Sequence, residues 1–500
     1  MFIVGIEPKA PGLHIFGKAY IPRLGLAQLL TIAEQSGHQC EIFCEEIVPI
    51  PWDKVARADM IMVSSITSTA PRAYALIEQI KEDINPKAPI LIGGAHVTFL
   101  PEEALAHGAD YVFRHEADES FVQFLRWWTS QRNPQELLSI PGLSFKMGDQ
   151  CHHTPAPPRV DLDTLPTPNL DLIYGFRKPS SIPLITSRGC PWKCEFCSEI
   201  AMFGKGYRFR SEQKVIEDIK YYGRRYGKIP IFFAEDNLGA NKSRLERLCN
   251  SIIDNGLVRS YDGQVRLDLA RHPETLALMN RAGFERAYIG YESTNPESLQ
   301  AMGKALNSNE MGHYTKIFHR RGIAIHAMWI LGFDEDTLET VKNTIKACIK
   351  WRIETTQFLI LVPIPGSRLY ERFKKENRIF NWDWCKYDGH HVTFYPKKMT
   401  ARQLQISVML DAMPKLYRLG QTLRLFIRNN IGTGIGLFNR ERRHPVREFK
   451  ANLLTLFARV WGKGATRKMR KPIREYLKQI PLISSRTSAQ FSDKSSSPQI

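Results

Sequence analysis

No stretch of about 18 consecutive apolar residues occurs in this chain of 500 residues, so a membrane-spanning helix is not expected. The N-terminus, Met-Phe-Ile-Val-Gly-Ile, lacks a basic leader and a cleavage site, and reads as a first strand instead of a signal peptide. Cysteines number nine, an odd count scattered over a long chain. That excludes the paired framework of a small secreted domain and makes a reducing cytoplasm the expected setting. Acidic residues are scarce at one end only. From Lys397 to Ile500 there are 22 Lys+Arg against five Asp+Glu, so this region holds +17 of the net +18. The remainder is close to neutral. No internal repeat is present.

What is there begins with alternation. Residues 1–150 carry short apolar runs at 2–6, 40–43, 60–64, 90–92 and 111–113, separated by helical patterns such as 24–36 and 71–82. This predicts a doubly wound α/β domain with a parallel sheet, whose ligands belong at the carboxyl ends of the strands. Two loops stand there: Ser64-Ser65-Ile66-Thr67 and Gly93-Gly94-Ala95-His96. Residues 151–175, with five prolines between 154 and 172, read as an extended linker. A second alternation follows in 176–375, with strands expected at 182–186, 229–234, 264–269, 286–291, 323–330 and 357–362. Six βα units imply a barrel or partial barrel, with chemistry at the strands' C-terminal ends. Residues 376–482 read as a mostly helical basic region, aromatic-rich at 380–395, and 483–500 as a disordered tail.

The most specific motif follows the first of those barrel strands: Cys190-Pro-Trp-Lys-Cys194-Glu-Phe-Cys197. Thiolates four and three residues apart on one loop suit zinc or an iron–sulfur cluster. A zinc site usually closes with a fourth Cys or His nearby, and none follows closely here. A structural zinc loop or three unrelated thiols is the plainer alternative. With Phe196 as the aromatic, the spacing resembles the cluster loop of the radical S-adenosylmethionine (SAM) superfamily.

Later strand ends resemble the same family in order. The segment Phe232-Phe233-Ala234-Glu235-Asp236-Asn237 stands where the family orients the SAM amino group, with Glu235 and Asp236 in place of the usual Gly-Gly-Glu. Tyr288-Ile289-Gly290-Tyr291-Glu292-Ser293 is similar to the ribose-proximal strand end. Met328-Trp329-Ile330-Leu331-Gly332-Phe333-Asp334-Glu335 resembles the adenine-side motif, and the turn 362–367 would bring backbone near the adenine. Arg266 and Asp268 on the third strand serve equally as a polar rim or as a structural ion pair. The resemblance implies that Cys190, Cys194 and Cys197 hold a 4Fe–4S cluster whose open iron chelates SAM. Reductive cleavage would then give a 5′-deoxyadenosyl radical, with a reductant such as flavodoxin or ferredoxin supplying the electron. Phe196, Glu235, Asp236, Glu292, Ser293, Gly332 and Glu335 are the implied SAM-binding residues.

The first domain resembles the cobalamin-binding subgroup of that family, a Rossmann-like domain ahead of the barrel. Ser64, Ser65, Gly93 and Gly94 are the implied cobalamin contacts, and His115 and Ala117 replace glycines usual there. His14, in Gly12-Leu13-His14-Ile15-Phe16-Gly17, keeps part of a cobalt-ligating motif without its Asp. It is either a ligand or a loop histidine near substrate or solvent; a degenerate domain kept for packing is the alternative to cobalamin binding. The resemblance implies methylation of an unactivated carbon. Alternatives are a radical cyclase or skeleton-forming enzyme on a porphyrin- or hopanoid-like substrate, an RNA-modifying enzyme, and a non-catalytic iron–sulfur protein. Near the C-terminus, Val446, Phe449, Leu453, Phe457 and Val460 form an apolar stripe flanked by Arg447, Lys450, Arg459 and Lys463. A basic amphipathic helix suits peripheral contact with an anionic membrane and an apolar or lipid substrate. A helix packed on the barrel is the alternative. Nucleic acid is disfavoured, since no RNA-binding module accompanies the charge.

Overall fold

The structure is a computed structural model, and it describes residues 1–10, 12, 21–177, 179–304, 306–435 and 445–482; the side chains of 428–435, 445–452 and 454 stand outside the description. His14 and the tail 483–500 therefore lie outside the described residues.

The first sheet comprises β1 (Phe2–Glu7), β2 (Gln39–Cys44), β3 (Met60–Ser64), β4 (Ile90–Gly93), β5 (Tyr111–Phe113), β6 (Leu143–Met147) and β7 (Gln150–His153), in the order β2-β1-β3-β4-β5-β6-β7. The first five are parallel and the last two antiparallel. Parallel strands covered on both faces are apolar along their whole length, and β3 and β4 follow that pattern with Met60–Val63 and Ile90–Ile92 buried. The hairpin carries the sheet past residue 150, the boundary expected from sequence. Its signal was the two-residue Gly148-Asp149 turn between Met147 and Gln150, which pair across it.

The proline-rich linker is a packed strap. Leu162, between its prolines, and Leu170, Leu172 and Ile173, just after them, are buried; the Pro166 carbonyl accepts from Gln28, and Ile173 bridges to Ile42 of β2. Apolar residues among and just after the prolines give an extended segment something to bury, and that separates a strap from a free linker.

The second sheet contains β8 (Ile182–Leu184), β11 (Ile231–Phe233), β12 (Tyr261–Val265), β13 (Phe284–Glu292), β14 (Ala324–Leu331) and β15 (Thr355–Ile360), in strictly sequential order and all parallel. Between its first two members, β9 (Ser187–Arg188) and β10 (Arg208–Phe209) form a small antiparallel ribbon. This is the six-unit partial barrel expected. The third strand sits earlier than expected and gives way to a 3-10 turn at Leu267–Arg271. Alternation buries Tyr261, Gly263 and Val265 on the outer, helix-covered face. Opposite it, the register pairs Asp262 with Arg286 and Tyr288 with His326, a polar layer inside the barrel. Burial there pushes Asp262 up to about 6 and His326 down to about 3.

Beyond the barrel, the helix Arg368–Lys375 leads to helices over 401–416 and then to the helices Leu419–Ile435 and Pro445–Leu477. Of the stripe read from sequence on the last helix, the side chains of Val446 and Phe449 lie outside the description, Leu453 is half-buried, and the last two members face outward. Phe457 and Val460 are 61% and 47% exposed, and the buried face holds Thr455, Arg459, Ala465, Met469 and Ile473. Arg459 turns inward because its guanidinium answers otherwise open backbone acceptors: Glu354 O at 2.8 Å, Ile353 O and Leu416 O, besides Thr422 Oγ1 at 3.2 Å.

Candidate functional site at the barrel mouth

The β9–β10 ribbon holds both ends of the cysteine loop, and Gly206 N–H donates to Cys190 O at 3.2 Å across its neck. Farther along, the loop is clipped from the barrel's far side. Leu369 N–H donates to Glu195 O at 3.0 Å, Arg368 donates to Lys193 O, and Arg372 pairs with Glu195 at 2.7 Å. Arg372 and Arg378 converge in turn on Asp334. Burial pushes Asp334 up, but the hydrogen bonds and charge of these two arginines outweigh it and hold the carboxyl well below the usual range. The Arg266 guanidinium lies 4.2 Å from the Trp192 ring centre, and Arg266 pairs with Asp268 at 3.1 Å, so the two form an ion pair beside the cysteine loop.

All three thiols are free. Burial raises each, Cys197 to about 12; Cys194 also feels the charge of Cys190, and Cys197 that of Cys194. Tyr207 OH is 3.8 Å from Cys190 Sγ, and Glu199 N–H donates to Cys197 Sγ at 3.4 Å. Among the described residues no three His, Cys, Asp or Glu side chains gather tightly enough for a single ion. Three free thiols on one loop, Cys194 in the field of Cys190 and Cys197 in that of Cys194, suit a cluster in which each sulfur takes its own iron.

Asp236 adds charge at both Cys190 and Cys197, and it shares a hydrogen bond with Glu199. Burial, then the Asp236 carboxylate, pushes Glu199 up to about 9. Glu292 sits near Cys194, with φ 61° and Lys304 Nζ at 2.7 Å. The Phe196 ring meets Phe333 edge-on at 5.8 Å. Of the expected SAM residues, Asp236 and Glu292 thus face the loop and Phe196 belongs to it. The others turn elsewhere: Glu235 is buried and accepts from Thr186 Oγ1 at 2.6 Å and from Ser187 Oγ, bracing the turn before the ribbon. Ser293 Oγ donates to Asp336 and accepts from Asn295 N–H; Gly332 N–H donates to Asp336; Glu335 pairs outward with Lys398. Glu235 and Asp236 stand in the bend after β11, where the Thr186 and Ser187 hydroxyls hold Glu235 while Asp236 bonds Glu199 beside the cysteine loop.

A cavity of about 260 Å³ opens at the carboxyl ends of β3, β4 and β5, between the first sheet, the helix that follows β1 and the start of the barrel. It is mostly apolar, room for a nucleotide-sized group, and Ser64, Gly93 and Gly94 line it with Gly25, Gln28 and His115. Gly94 has φ 116°, and a Cβ there would strike the Ser65 carbonyl oxygen, so the close turn requires glycine. Ser65 itself is buried behind the wall. His115 stands at φ 61°, the backbone state that favours glycine. Its Nδ1 is 3.2 Å from Met202 O, just after the cysteine loop. Arg188 pairs with Glu116 and Asp118, and Arg208 with Glu116, tying the cavity wall to the ribbon.

A second cavity, about 330 Å³ and chiefly apolar, lies at the C-terminal ends of β14 and β15 beside Phe196. Ile330 and Leu361 come from the barrel, Ile66 from the first domain, and Tyr387, Asp388 and His390 from the segment after the barrel. Nothing in the sequence placed this last segment at the mouth. Its aromatic density was the sole signal.

Cavity, cysteine loop and sheet order together define an enzyme class with two nucleotide-bearing cofactors, and comparison with known proteins agrees. Residues 18–125 match the B12 binding domain and residues 184–348 the radical SAM superfamily. The chain belongs to the cobalamin-dependent radical SAM methyltransferase family. It is 30% identical over 396 residues to an uncharacterized methyltransferase, PH0819, of Pyrococcus horikoshii, covering 77% of this chain and 85% of that one. It is 27% identical to the bacteriochlorophyllide d C-12(1)-methyltransferase of Chlorobaculum tepidum, over 69% of this chain and 72% of the relative. Its fold is similar to that of the cobalamin-dependent SAM radical enzyme OxsB, with TM-score 0.65, 14% identity, and coverage of 96% and 81%. A 4Fe–4S cluster, SAM and cobalamin are its cofactors, and it needs a reductant. No described helix is long and apolar enough to cross a membrane.

Proposed function

We propose that the protein methylates an unactivated carbon of an apolar small molecule or lipid, with Cys190, Cys194 and Cys197 holding the cluster. The observation that carries this reading is the apolar cavity beside Phe196, walled jointly by the barrel, the first domain and the segment after the barrel. Bound there, the cluster and SAM supply a hydrogen-abstracting radical, and cobalamin supplies the methyl group. Asp236, close to two of the three thiols, accepts from the SAM ammonium. Glu292, held by Lys304, accepts from ribose hydroxyls, and Phe196 covers the adenine. Ser64, Gly93 and Gly94 receive the nucleotide tail of cobalamin. Ile330 and Leu361 keep water from the reacting carbon. Flavodoxin or ferredoxin in a reducing cytoplasm supplies electrons.

The test is anaerobic reconstitution with iron and cobalamin, followed by turnover of SAM with a lipid extract. 5′-Deoxyadenosine and S-adenosylhomocysteine formed in equal amounts support methyl transfer. 5′-Deoxyadenosine alone would instead point to a radical cyclase.

A further inference from the structure

The helices Leu419–Ile435 and Pro445–Leu477 run antiparallel: Tyr417 packs on Gly462, while Thr422, farther along the first helix, bonds Arg459, farther back on the second. Thr422 and Arg459 thus face each other. One residue on, each helix has turned by about 100°, and in an antiparallel pair those turns bring Leu423 and Val460 to the same side. Leu419, Leu423 and Ile427 repeat every four residues and are 48%, 43% and 50% exposed; Phe457 and Val460 continue the same outward face. Burying Arg459 is what leaves these five apolar side chains outside.

Beside this face is a cleft of about 360 Å³. Lys415, Arg418, Lys463, Arg467 and Arg470 line it against one carboxylate, Asp411, and Leu419 stands at its edge. Among the described residues none of the five cations has an ion-pair partner. The outer face of the second helix stays basic beyond them, with Lys468, Lys471, Arg474 and Lys478 exposed against Glu475 alone.

We infer that this helical pair is a docking surface for an anionic phospholipid bilayer. The cleft takes lipid phosphate while Leu419, Leu423, Ile427, Phe457 and Val460 enter the interface. The charge complementarity selects the occupant: a second copy of the chain would bring the same basic cleft against itself. A surface that is apolar beside the cations suits a lipid interface better than a polynucleotide. With no described helix able to span, contact lies in the membrane plane. The inference stands apart from the reaction, because nothing in it touches the barrel mouth.

The test uses the full chain and sedimentation with vesicles of phosphatidylcholine, with or without one-third phosphatidylglycerol. Binding is expected on the anionic vesicles only and to weaken with added salt. Substituting Arg418→Gln, Arg467→Gln and Arg470→Gln together is expected to weaken it at least tenfold. The pair Leu423→Asp and Phe457→Asp, both on exposed positions, is expected to abolish it with the circular dichroism spectrum unchanged. Three outcomes overturn the inference: no preference for anionic vesicles, single-stranded RNA bound more tightly than vesicles, or a dimer that Leu423→Asp dissolves. Loss of vesicle binding in inorganic phosphate, with the aspartate pair without effect, would reduce the cleft to a free-anion site and overturn the docking surface.

Discussion

The two sheets share a parallel body of βα units and yet offer ligand sites of different kinds. In the first, strand order reverses at β1, and the crevice beside that point, at the ends of β3 and β4, is walled by backbone and small side chains such as Ser64, Gly93 and Gly94. In the second the order never reverses, so the sheet curls and strand ends from several units meet over one mouth. A reversing sheet makes a slot for a preformed group. A curled one makes a convergence point, where a loop can supply metal ligands and the strands supply positioning. Both arrangements here meet at one junction, since Arg188, next to the cysteine loop, is bound by Glu116 and Asp118 of the first domain.

That contrast is breakable. The largest effect is expected from Cys194→Ala: the iron–sulfur absorption and SAM cleavage fall below detection, while cobalamin still binds the first domain, as an anaerobic optical spectrum would record. The reciprocal change is Gly25→Trp, placed where an added side chain meets only open space in the first cavity. Cobalamin affinity drops at least tenfold, about 1.4 kcal/mol, with cluster content unchanged. If cobalamin loss also removes the cluster, the two sites are not separable. Next, Arg188→Met strips a buried partner from Glu116 and Asp118, a class of change that costs about 3–5 kcal/mol. Urea unfolding is expected to show it, and an unchanged midpoint would mean that the junction contributes nothing.

The smallest effect concerns pH. Asp334 titrates well below its unfolded value of about 3.9, so its pairing with Arg372 and Arg378 stabilises the fold fully above that value. The contribution is lost as pH falls further, toward the folded value. Asp334→Asn is expected to flatten that acid limb of stability and leave the neutral-to-alkaline limb alone. A variant with the same acid limb as the parent protein would remove Asp334 from the account.

Much of this was legible in the residues because the strands are short, apolar and evenly spaced. The cysteine spacing and the order of strand-end motifs located the mouth, since chemistry at strand ends depends on local sequence. What escaped depends on long-range packing. Glu235 and Asp236 are neighbours with similar side chains, and which one faces the cysteine loop is fixed by Thr186 and Ser187 donating to the other. Arg459 carries no hint in its helix that it will be buried, since the carbonyls it meets belong to residues 353, 354 and 416. The apolar stripe was read with two sides open to it, a membrane or the barrel, and which one Phe457 and Val460 take is set by the burial of Arg459. The strap at 162–173 was missed because proline content outweighed its spaced leucines.

The central claim is tested most directly by electron paramagnetic resonance of the reduced protein before and after SAM is added. A cluster held by Cys190, Cys194 and Cys197 alone has an iron free to take SAM, so its signal must shift on addition. A signal indifferent to SAM, or one that survives replacement of all three cysteines by alanine, would contradict the account.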